Sequence, residues 1–431
     1  MSTETILPID RAAVLELSRT KQEPEWMTNL RLEGLTLAET LELPKLEKTR
    51  IDRWSISSFG SYKQAARISS LDELPEVAQG LTNPDNLFVQ KNSGIVYSQV
   101  AEQLKQQGVI FTDLETAVKE HADLVKPYFM KAIEANENRL TALHAALWSG
   151  GIFIYVPKNV QVDIPLQALF ITDDAESTFS PHVLIVAEAQ SSVVYVENFV
   201  SSVADGTLVQ NGNVEVFVKP GAKVTVASVH NLGPSVTDLT YRRAIVDNDA
   251  SVQWIIGEMN YGNSLSDTTS ILKGNGSDSD AKVICVGTEA QKLNLTTRAV
   301  HFGKFSTSDM ITRAVMRDES TAIINGITKI EKGANGTNGL QTEKVLMLSP
   351  KARGDANPIL LIDEDDVKAG HAASVGQVNP DLVYYLMSRG ITKIQAEKLI
   401  IYGFLAPVVS QIPLRNVEEQ LQRLVERKLG Q

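Results

Sequence analysis

Short apolar strands that alternate with polar turns dominate the middle of the chain, from about Val183 to Ile330. Five segments there share one pattern, in which an apolar strand, a polar turn ending in small residues and a second apolar strand follow each other. The first apolar residues after the turns are Val193, Val224, Val252, Val283 and Ile323, at steps of 31, 28, 31 and 40 residues. Such a near-constant period indicates stacked units, none of which can bury its apolar face alone.

Two architectures fit this pattern. Taken singly, each segment resembles a β-hairpin closed by a Gly, Asn or Asp turn. Taken together, the repeated strands with corner residues at a constant step predict a parallel β-helix. We favour the β-helix, because a sandwich would place its strands at shorter and less constant spacing.

The pattern changes on both sides of the repeats, which predicts three regions. Residues 1–147 read as mainly helical, with Asp10 as the N-cap of a first helix and a hairpin turn at Asn92-Ser93-Gly94. The β pattern starts near Gly150, so the predicted β-helix domain covers residues 148–370. Residues 371–431 form a predicted helical domain.

The helical domain is predicted from three amphipathic segments with short connections. The first two segments end at Gly390 and Gly403, as helices with a glycine C-cap would. Apolar surface is left over on these helices, which indicates a protein partner.

Charge and hydropathy exclude two classes of partner. The net charge of −11 argues against nucleic acid, because binding to phosphates needs a concentrated basic surface. No apolar run approaches the roughly 20 residues of a membrane span, and the stretch MSTETILPID lacks the features of a signal peptide. We therefore expect a cytoplasmic protein.

Cys285 is the single cysteine of the chain. A disulfide, a cysteine-based zinc site or an all-thiolate iron–sulfur site within one chain is therefore excluded. Cys285 follows the alternation of its strand, so a buried structural thiol is the favoured interpretation.

His371 is the candidate ligand of greatest interest. It lies between Gly370 and Ala372, where we expect the junction of strand and helix. It could be an imidazole ligand or proton carrier at a subunit surface, but the residues alone favour a hydrogen-bonded junction histidine. For His230 and His301, each at the end of an apolar strand, a satisfied structural histidine is expected.

Two polar stretches carry weaker signals. The acidic run from Asp363 to Asp366 is expected to be a solvated turn, because its carboxylates are bunched rather than spaced around a loop. Gly333, Gly336 and Gly339 do not have the spacing of a phosphate-binding loop, so a mobile or corner loop is expected. The residues alone therefore predict an architecture without a catalytic centre.

Four stretches of the chain resemble the SufB/SufD family of iron–sulfur cluster assembly proteins. They are LHAALWSGGIFIYVPKNV, GANGTNGLQTEKVLMLSP, DEDDVKAGHAASVGQV and YYLMSRGITKIQAEKLIIYGF. Within the family, the sequence is similar to the SufD branch. Glu343 and Lys344 stand where the SufB branch has Cys-Asp, and residues 369–373 replace its Glu-His-Glu-Ala-Thr.

The resemblance implies a right-handed parallel β-helix between helical regions, in a non-catalytic scaffold subunit. It implies pairing with SufB through the β-helices and docking of the SufC ATPase on the C-terminal helical domain. The matched positions in that domain are Tyr384, Arg389, Gly390, Gly403 and Phe404. His371 matches a histidine that some members place at the SufB–SufD interface as a ligand of the nascent cluster.

The resemblance leaves several points open. Ala369 stands where some members have a cysteine, so a second thiolate ligand is not expected there. The nascent iron–sulfur cluster would be shared with SufB and transient, and a reduced flavin in the complex and a homodimer are further options. The alternatives are a purely structural subunit that docks SufC and, from another class, a β-helix polysaccharide lyase.

Overall fold

The computed structural model describes residues 9–81, 84–410 and 415–429. Residues 1–8, which supply most of the stretch MSTETILPID considered above, lie outside this description. No helix within the described ranges is long and apolar enough to cross a membrane.

Strands make up the central part of the described chain. Their bounds are β1 Leu87–Lys91, β2 Gly94–Gln99, β3 Ile110–Asp113, β4 Gly151–Val156, β5 Leu166–Thr172, β6 His182–Ala187, β7 Ser192–Ser201, β8 Leu208–Val218, β9 Lys223–Asn231, β10 Val236–Val246, β11 Ser251–Glu258, β12 Ser264–Leu272, β13 Asp278–Gly287, β14 Lys292–His301, β15 Thr307–Met316, β16 Thr321–Ile330, β17 Asn338–Met347, β18 Arg353–Ile362 and β19 Lys368–Gln377.

Helices lie on both sides of the strands in the sequence. Their bounds are α1 Arg11–Thr20, α2 Glu25–Thr40, α3 Glu102–Gln106, α4 Leu114–Glu120, α5 Ala122–Val125, α6 Arg139–Leu147, α7 Pro380–Ser388, α8 Lys393–Val409 and α9 Arg415–Lys428. The Asp10 side chain accepts a hydrogen bond from the N–H of Ala13, which confirms it as the N-cap of α1.

Two long parallel sheets form the body of the molecule. The first sheet has the order β2-β1-β5-β7-β9-β11-β13-β15-β17-β19, and the second has the order β3-β4-β6-β8-β10-β12-β14-β16-β18. Consecutive strands from β4 onward alternate between the sheets, and each pairs in parallel with the strand two places later. The chain therefore winds as a parallel β-helix with two strands in each coil.

The predicted β-helix is confirmed, and the hairpin alternative is wrong. Strands β6 and β7 are joined by one of the predicted turns, yet they belong to different sheets. The turn is therefore a corner of a coil. The separate hairpin predicted at Asn92-Ser93-Gly94 does form, since β1 and β2 pair in antiparallel orientation.

The predicted alignment of the five repeats, residue against residue, is right for three segments and wrong for two. Val193, Val224 and Val252 are direct neighbours on successive strands. Val252 pairs next with Ser279 rather than Val283, because a buried serine occupies the equivalent inward position there. Ile323 lies in the other sheet, since its segment turns the opposite corner.

Apolar side chains fill the space between the sheets, and helices cover the outer faces. The interior includes Trp254, Val283 and Cys285. Helices α2 and α6 pack on the second sheet, whereas α8 and α9 pack on the first sheet, with Leu405 and Leu421 among the contacting residues.

The two ends of the β-helix differ. At the beginning, the antiparallel strands β2 and β3 are the outermost members of the sheets. At the other end, the outermost strands are β18 and β19, and most residues of β19 are exposed. The expected domain boundary at residue 370 falls inside β19, so the last strand continues to Gln377.

Candidate functional site at the open end of the β-helix

His371 is the fourth residue of β19 and lies beside Gln341 of β17. Its expected position at a strand–helix junction is wrong, because α7 begins only at Pro380. The side chain is exposed, and it makes no hydrogen bond or ion pair with the described residues. It is therefore available to a ligand or partner, unlike a hydrogen-bonded junction histidine.

Along one side of β19, the backbone groups pair with no residue that the structure describes. The N–H of Lys368 donates to Thr337 O at 2.8 Å, so the even-numbered residues of β19 point their backbone groups toward β17. The odd-numbered residues, which include His371, Ala373 and Val375, point theirs to the free edge. An unpaired row of this kind can add another strand.

The free edge of β18 is interrupted. The N–H of Arg353 donates to Ser320 O at 2.9 Å, so the even-numbered residues of β18 point their backbone groups outward. One of these residues is Pro358, which has no N–H to donate. Arg353 and Asp355 add a charge pair at 2.6 Å. The edge of β19 is therefore the longer uninterrupted row.

Glu343 of β17 points into the β-helix next to this end. Gly339, Gln341, Glu343 and Val345 are buried at alternating positions of the strand, and Val345 belongs to the inner core. Burial raises the pKa of the Glu343 carboxyl to about 7. In the family resemblance Glu343 is only a departure from SufB, although the alternation of its strand is a signal that places it inside.

The glycine-rich and acidic stretches form neighbouring corners. Gly333 and Gly336 have φ values of +99° and +73° in the corner between β16 and β17, which confirms a corner loop. The N–H of Gly333 donates to the Glu364 carboxylate at 2.9 Å. Glu364 is nearly buried and its pKa is lowered by the backbone N–H groups that it accepts, so the acidic run is only partly a solvated turn.

Cys285 and two histidines have the structural roles that were expected. Cys285 lies in the inner core, and burial raises the pKa of its thiol to about 12. His301 contacts the hydroxyls of Ser306 and Ser308 at 2.9 Å each, and burial lowers its pKa to about 4. His230 Nδ1 lies 2.7 Å from the Asp238 carboxylate.

His230, Asp238 and Glu258 come together inside the β-helix, with possible ligand atoms within 4.8 Å of one another. The guanidinium of Arg242 already occupies this cluster. It lies 2.8 Å from His230 Nε2 and 3.4 Å from the Glu258 carboxylate. A metal cation would meet this fixed positive charge, so the cluster is a buried hydrogen-bond network.

The C-terminal helices carry an exposed apolar surface. Its large side chains are those of Leu382, Tyr384, Tyr385, Met387, Ile394 and Leu399. Arg389 extends this surface, because its guanidinium lies 5.2 Å from the centre of the Tyr385 ring. Gly390 has a φ of +91° just after α7, as expected for a residue that ends a helix.

The two other matched residues lie elsewhere on the helical domain. Gly403 is inside α8, which continues to Val409, so the predicted helix end at this glycine is wrong. Phe404 is half-buried, and its ring lies 5.3 Å from the guanidinium of Arg313 on the first sheet.

Comparison with known proteins identifies the family. Residues 170–404 match the family described as SUF system FeS cluster assembly, SufBD core domain. Residues 83–168 match the SufBD protein N-terminal region.

Individual relatives agree with the family matches. The chain is 47% identical to the iron-sulfur cluster assembly protein SufD of Bacillus subtilis, with all of both chains covered. It is 27% identical to the iron-sulfur cluster assembly protein SufB of the same organism, with 97% of this chain and 92% of the relative covered. The chain thus belongs to the SufB/SufD family of iron–sulfur cluster assembly proteins and is a homologue of SufD.

Proposed function

We propose that the chain is a cytoplasmic, non-catalytic scaffold subunit on which an iron–sulfur cluster forms together with a SufB-type partner. The observation that carries this proposal is the unpaired edge of β19, which displays His371 among small residues. A partner strand could pair with this edge by backbone hydrogen bonds and bring its own ligands beside the imidazole.

The cysteine content supports a shared site. Cys285 is buried in the core with a pKa of about 12, so this chain offers no accessible thiolate. Iron–sulfur clusters are commonly held by several cysteine thiolates, and imidazole replaces some of them in certain centres. A site with one imidazole from this chain and thiolates from a partner would exist only in the assembled complex.

The exposed side chains of α7 and α8 support a second contact. Tyr384 is 75% exposed and Ile394 is 63% exposed, which is unusual for large apolar side chains on a packed helical domain. We assign this surface to a SufC-type ATPase, whose nucleotide-dependent movement would be transmitted through α8 to the first sheet.

The test is anaerobic reconstitution of the complex with iron and sulfide, after co-expression of this chain with its SufB-type and SufC-type partners. We expect the three proteins to copurify and the His371→Ala complex to remain intact. Because the imidazole would be a ligand, the variant should assemble several-fold less cluster, measured by visible absorption and by iron and sulfide content.

Two outcomes would contradict the proposal at different levels. Equal cluster yield in wild type and His371→Ala would leave only a structural subunit that docks the ATPase. If neither partner copurifies, the scaffold role itself is wrong.

A further inference from the structure

The inward side of the last two coils brings Glu343 and His371 to the same end of the β-helix. Gln341 is the direct neighbour of His371, and Glu343 is the direct neighbour of Ala373. Glu343 and His371 are therefore diagonal neighbours whose side chains leave the sheet on the same face. With strands about 4.8 Å apart and a rise of about 3.3 Å per residue, their Cα atoms are about 8 Å apart.

The Glu343 carboxylate is buried with unused acceptor capacity. Glu343 is only 1% exposed, and its Oε2 atom has no hydrogen-bond partner among the described residues. Burial raises its pKa, and a hydrogen bond with the backbone of Glu343 itself offsets only part of that effect. Leaving Oε2 without a partner is costly, because nothing replaces the water that solvated this atom in the unfolded chain.

Glu343 has small residues as neighbours on two sides. Oε1 lies against Gly326, where an added Cβ would be 1.9 Å away. On the outer side, the neighbouring residue of the last strand is Ala373, so only a methyl group lies in that register position. His371 lies two residues before Ala373 on the same strand and is exposed.

We propose that Glu343 is a second protein ligand for ferrous iron, held jointly with His371 at the open end of the β-helix. Imidazole and carboxylate are the ligand types of mononuclear non-haem Fe(II) sites, which keep positions open for other ligands. Binding of the ion gives Oε2 a partner without any change of oxidation state. This inference rests on the proposed function, since it concerns iron destined for the nascent cluster.

The test is anaerobic titration of the purified full-length chain with Fe²⁺ in competition with a chromophoric chelator. We expect about one Fe²⁺ per chain, bound at least about tenfold more weakly by Glu343→Gln and by His371→Ala. Since both residues would hold one ion, the double variant should lose less affinity than the two single effects combined.

Two further variants distinguish the loss of an iron ligand from a nonspecific effect of substitution on the fold. Gly326→Ala keeps both ligands but places a methyl group where Oε1 lies, so it should also weaken Fe²⁺ binding. Glu331→Gln changes a carboxylate that forms an ion pair with Lys329 at 2.5 Å, and it should leave the affinity unchanged. Thermal unfolding checks the fold, and Glu343→Gln should be no less stable than wild type because the amide cannot ionise and avoids the cost of a buried charge.

Several results would overturn the inference. They are absence of Fe²⁺ binding by the wild-type chain, unchanged affinity in Glu343→Gln, and equal loss in Glu331→Gln. Copurification and cluster yield report on the proposed function separately. If the partners do not bind but Glu343→Gln weakens Fe²⁺ binding, the iron site stands and the scaffold role fails. If the complex assembles clusters normally but Glu343→Gln leaves the Fe²⁺ affinity unchanged, the scaffold role stands and the iron site fails.

Discussion

Cys285 illustrates how the environment of one residue decides its chemistry. Its neighbours across the first sheet are Glu258 and Ala314, and the residue is fully buried. Burial disfavours the thiolate, which is the nucleophilic form, and raises the pKa of the thiol to about 12.

We therefore predict that Cys285 does not react with thiol reagents in the folded protein. Incubation with a chromogenic disulfide at neutral pH should label less than about a tenth of the chains, whereas the denatured chain should react fully. Because Cys285 is the single cysteine, the signal reports on this residue alone. Rapid stoichiometric labelling of the native protein would contradict the burial of the thiol.

At the residue scale, the sequence indicated which residues are candidates for the site better than it indicated where they lie in the fold. His371 was found from its setting among small residues and from the family resemblance. Its place in the middle of β19 was missed, because the stretch KAGHAASVGQ has no apolar alternation to indicate a strand. This strand forms because its backbone pairs with β17. The local sequence does not show such pairing, because the partner segment is distant along the chain.

Glu343 was missed for a related reason. Whether a carboxylate on an alternating strand faces solvent or core depends on the phase of the whole sheet. Val345 fixes that phase here, since it packs in the inner core.

At the scale of elements, α9 is fastened to the first sheet at its last residue. The Lys428 ammonium donates to the carbonyl oxygens of Asn260 and Val286 and lies 4.7 Å from the centre of the Tyr261 ring. Burial lowers the pKa of Lys428 to about 7, well below the ordinary value of 10.5. Above pH of about 7, the unfolded chain therefore binds a proton that the folded chain has lost.

This difference predicts that the stability contributed by Lys428 rises with pH between about 7 and 10.5. Below pH of about 7 the ammonium is charged in the folded and in the unfolded chain. The folded state is then destabilised by the full free energy of burying this charge. The gap in melting temperature between wild type and Lys428→Met should therefore shift in favour of the wild type from pH 7 to about pH 9. Thermal unfolding measured across this range tests the expectation.

A matched control is Lys393→Met, because the Lys393 side chain is 69% exposed at the start of α8. The difference in melting temperature between Lys393→Met and the wild type should stay nearly constant over the same pH range. Parallel pH profiles for wild type and Lys428→Met would show that Lys428 does not change its protonation on folding.

The fold could be predicted from the repeat because each coil uses two strands and two corners at nearly constant length. Gly, Asn and Asp mark corners such as those between β10 and β11 and between β12 and β13, since these residues tolerate the backbone angles needed there. The predicted alignment fails at Val283, because the polar residue Ser279 faces inward at the equivalent position. The Ser279 hydroxyl lies 2.7 Å from that of Ser270 on the opposite sheet.

At the scale of the whole molecule, the open end of the β-helix leaves a strand edge with which a partner strand can pair. Stacked coils stabilise one another, and the last coil has a neighbour on one side only. On β18, Pro358 interrupts the outward row of N–H groups, whereas β19 offers an uninterrupted row. We expect the partner strand to pair with β19.

Ala373→Pro tests this pairing without breaking the existing sheet. The N–H of residue 373 points to the free edge, so the substitution removes one outward donor and places the ring where another strand would lie. We expect a change of about 1 kcal/mol or less in the free energy of unfolding. Affinity for the SufB-type partner should fall at least about tenfold, or about 1.4 kcal/mol, measured by biolayer interferometry. Ala373→Val keeps the donor and should bind more tightly than Ala373→Pro. If the proline variant binds like wild type, the partner does not use this edge, whereas a parallel loss of self-association would mean that a second copy uses it.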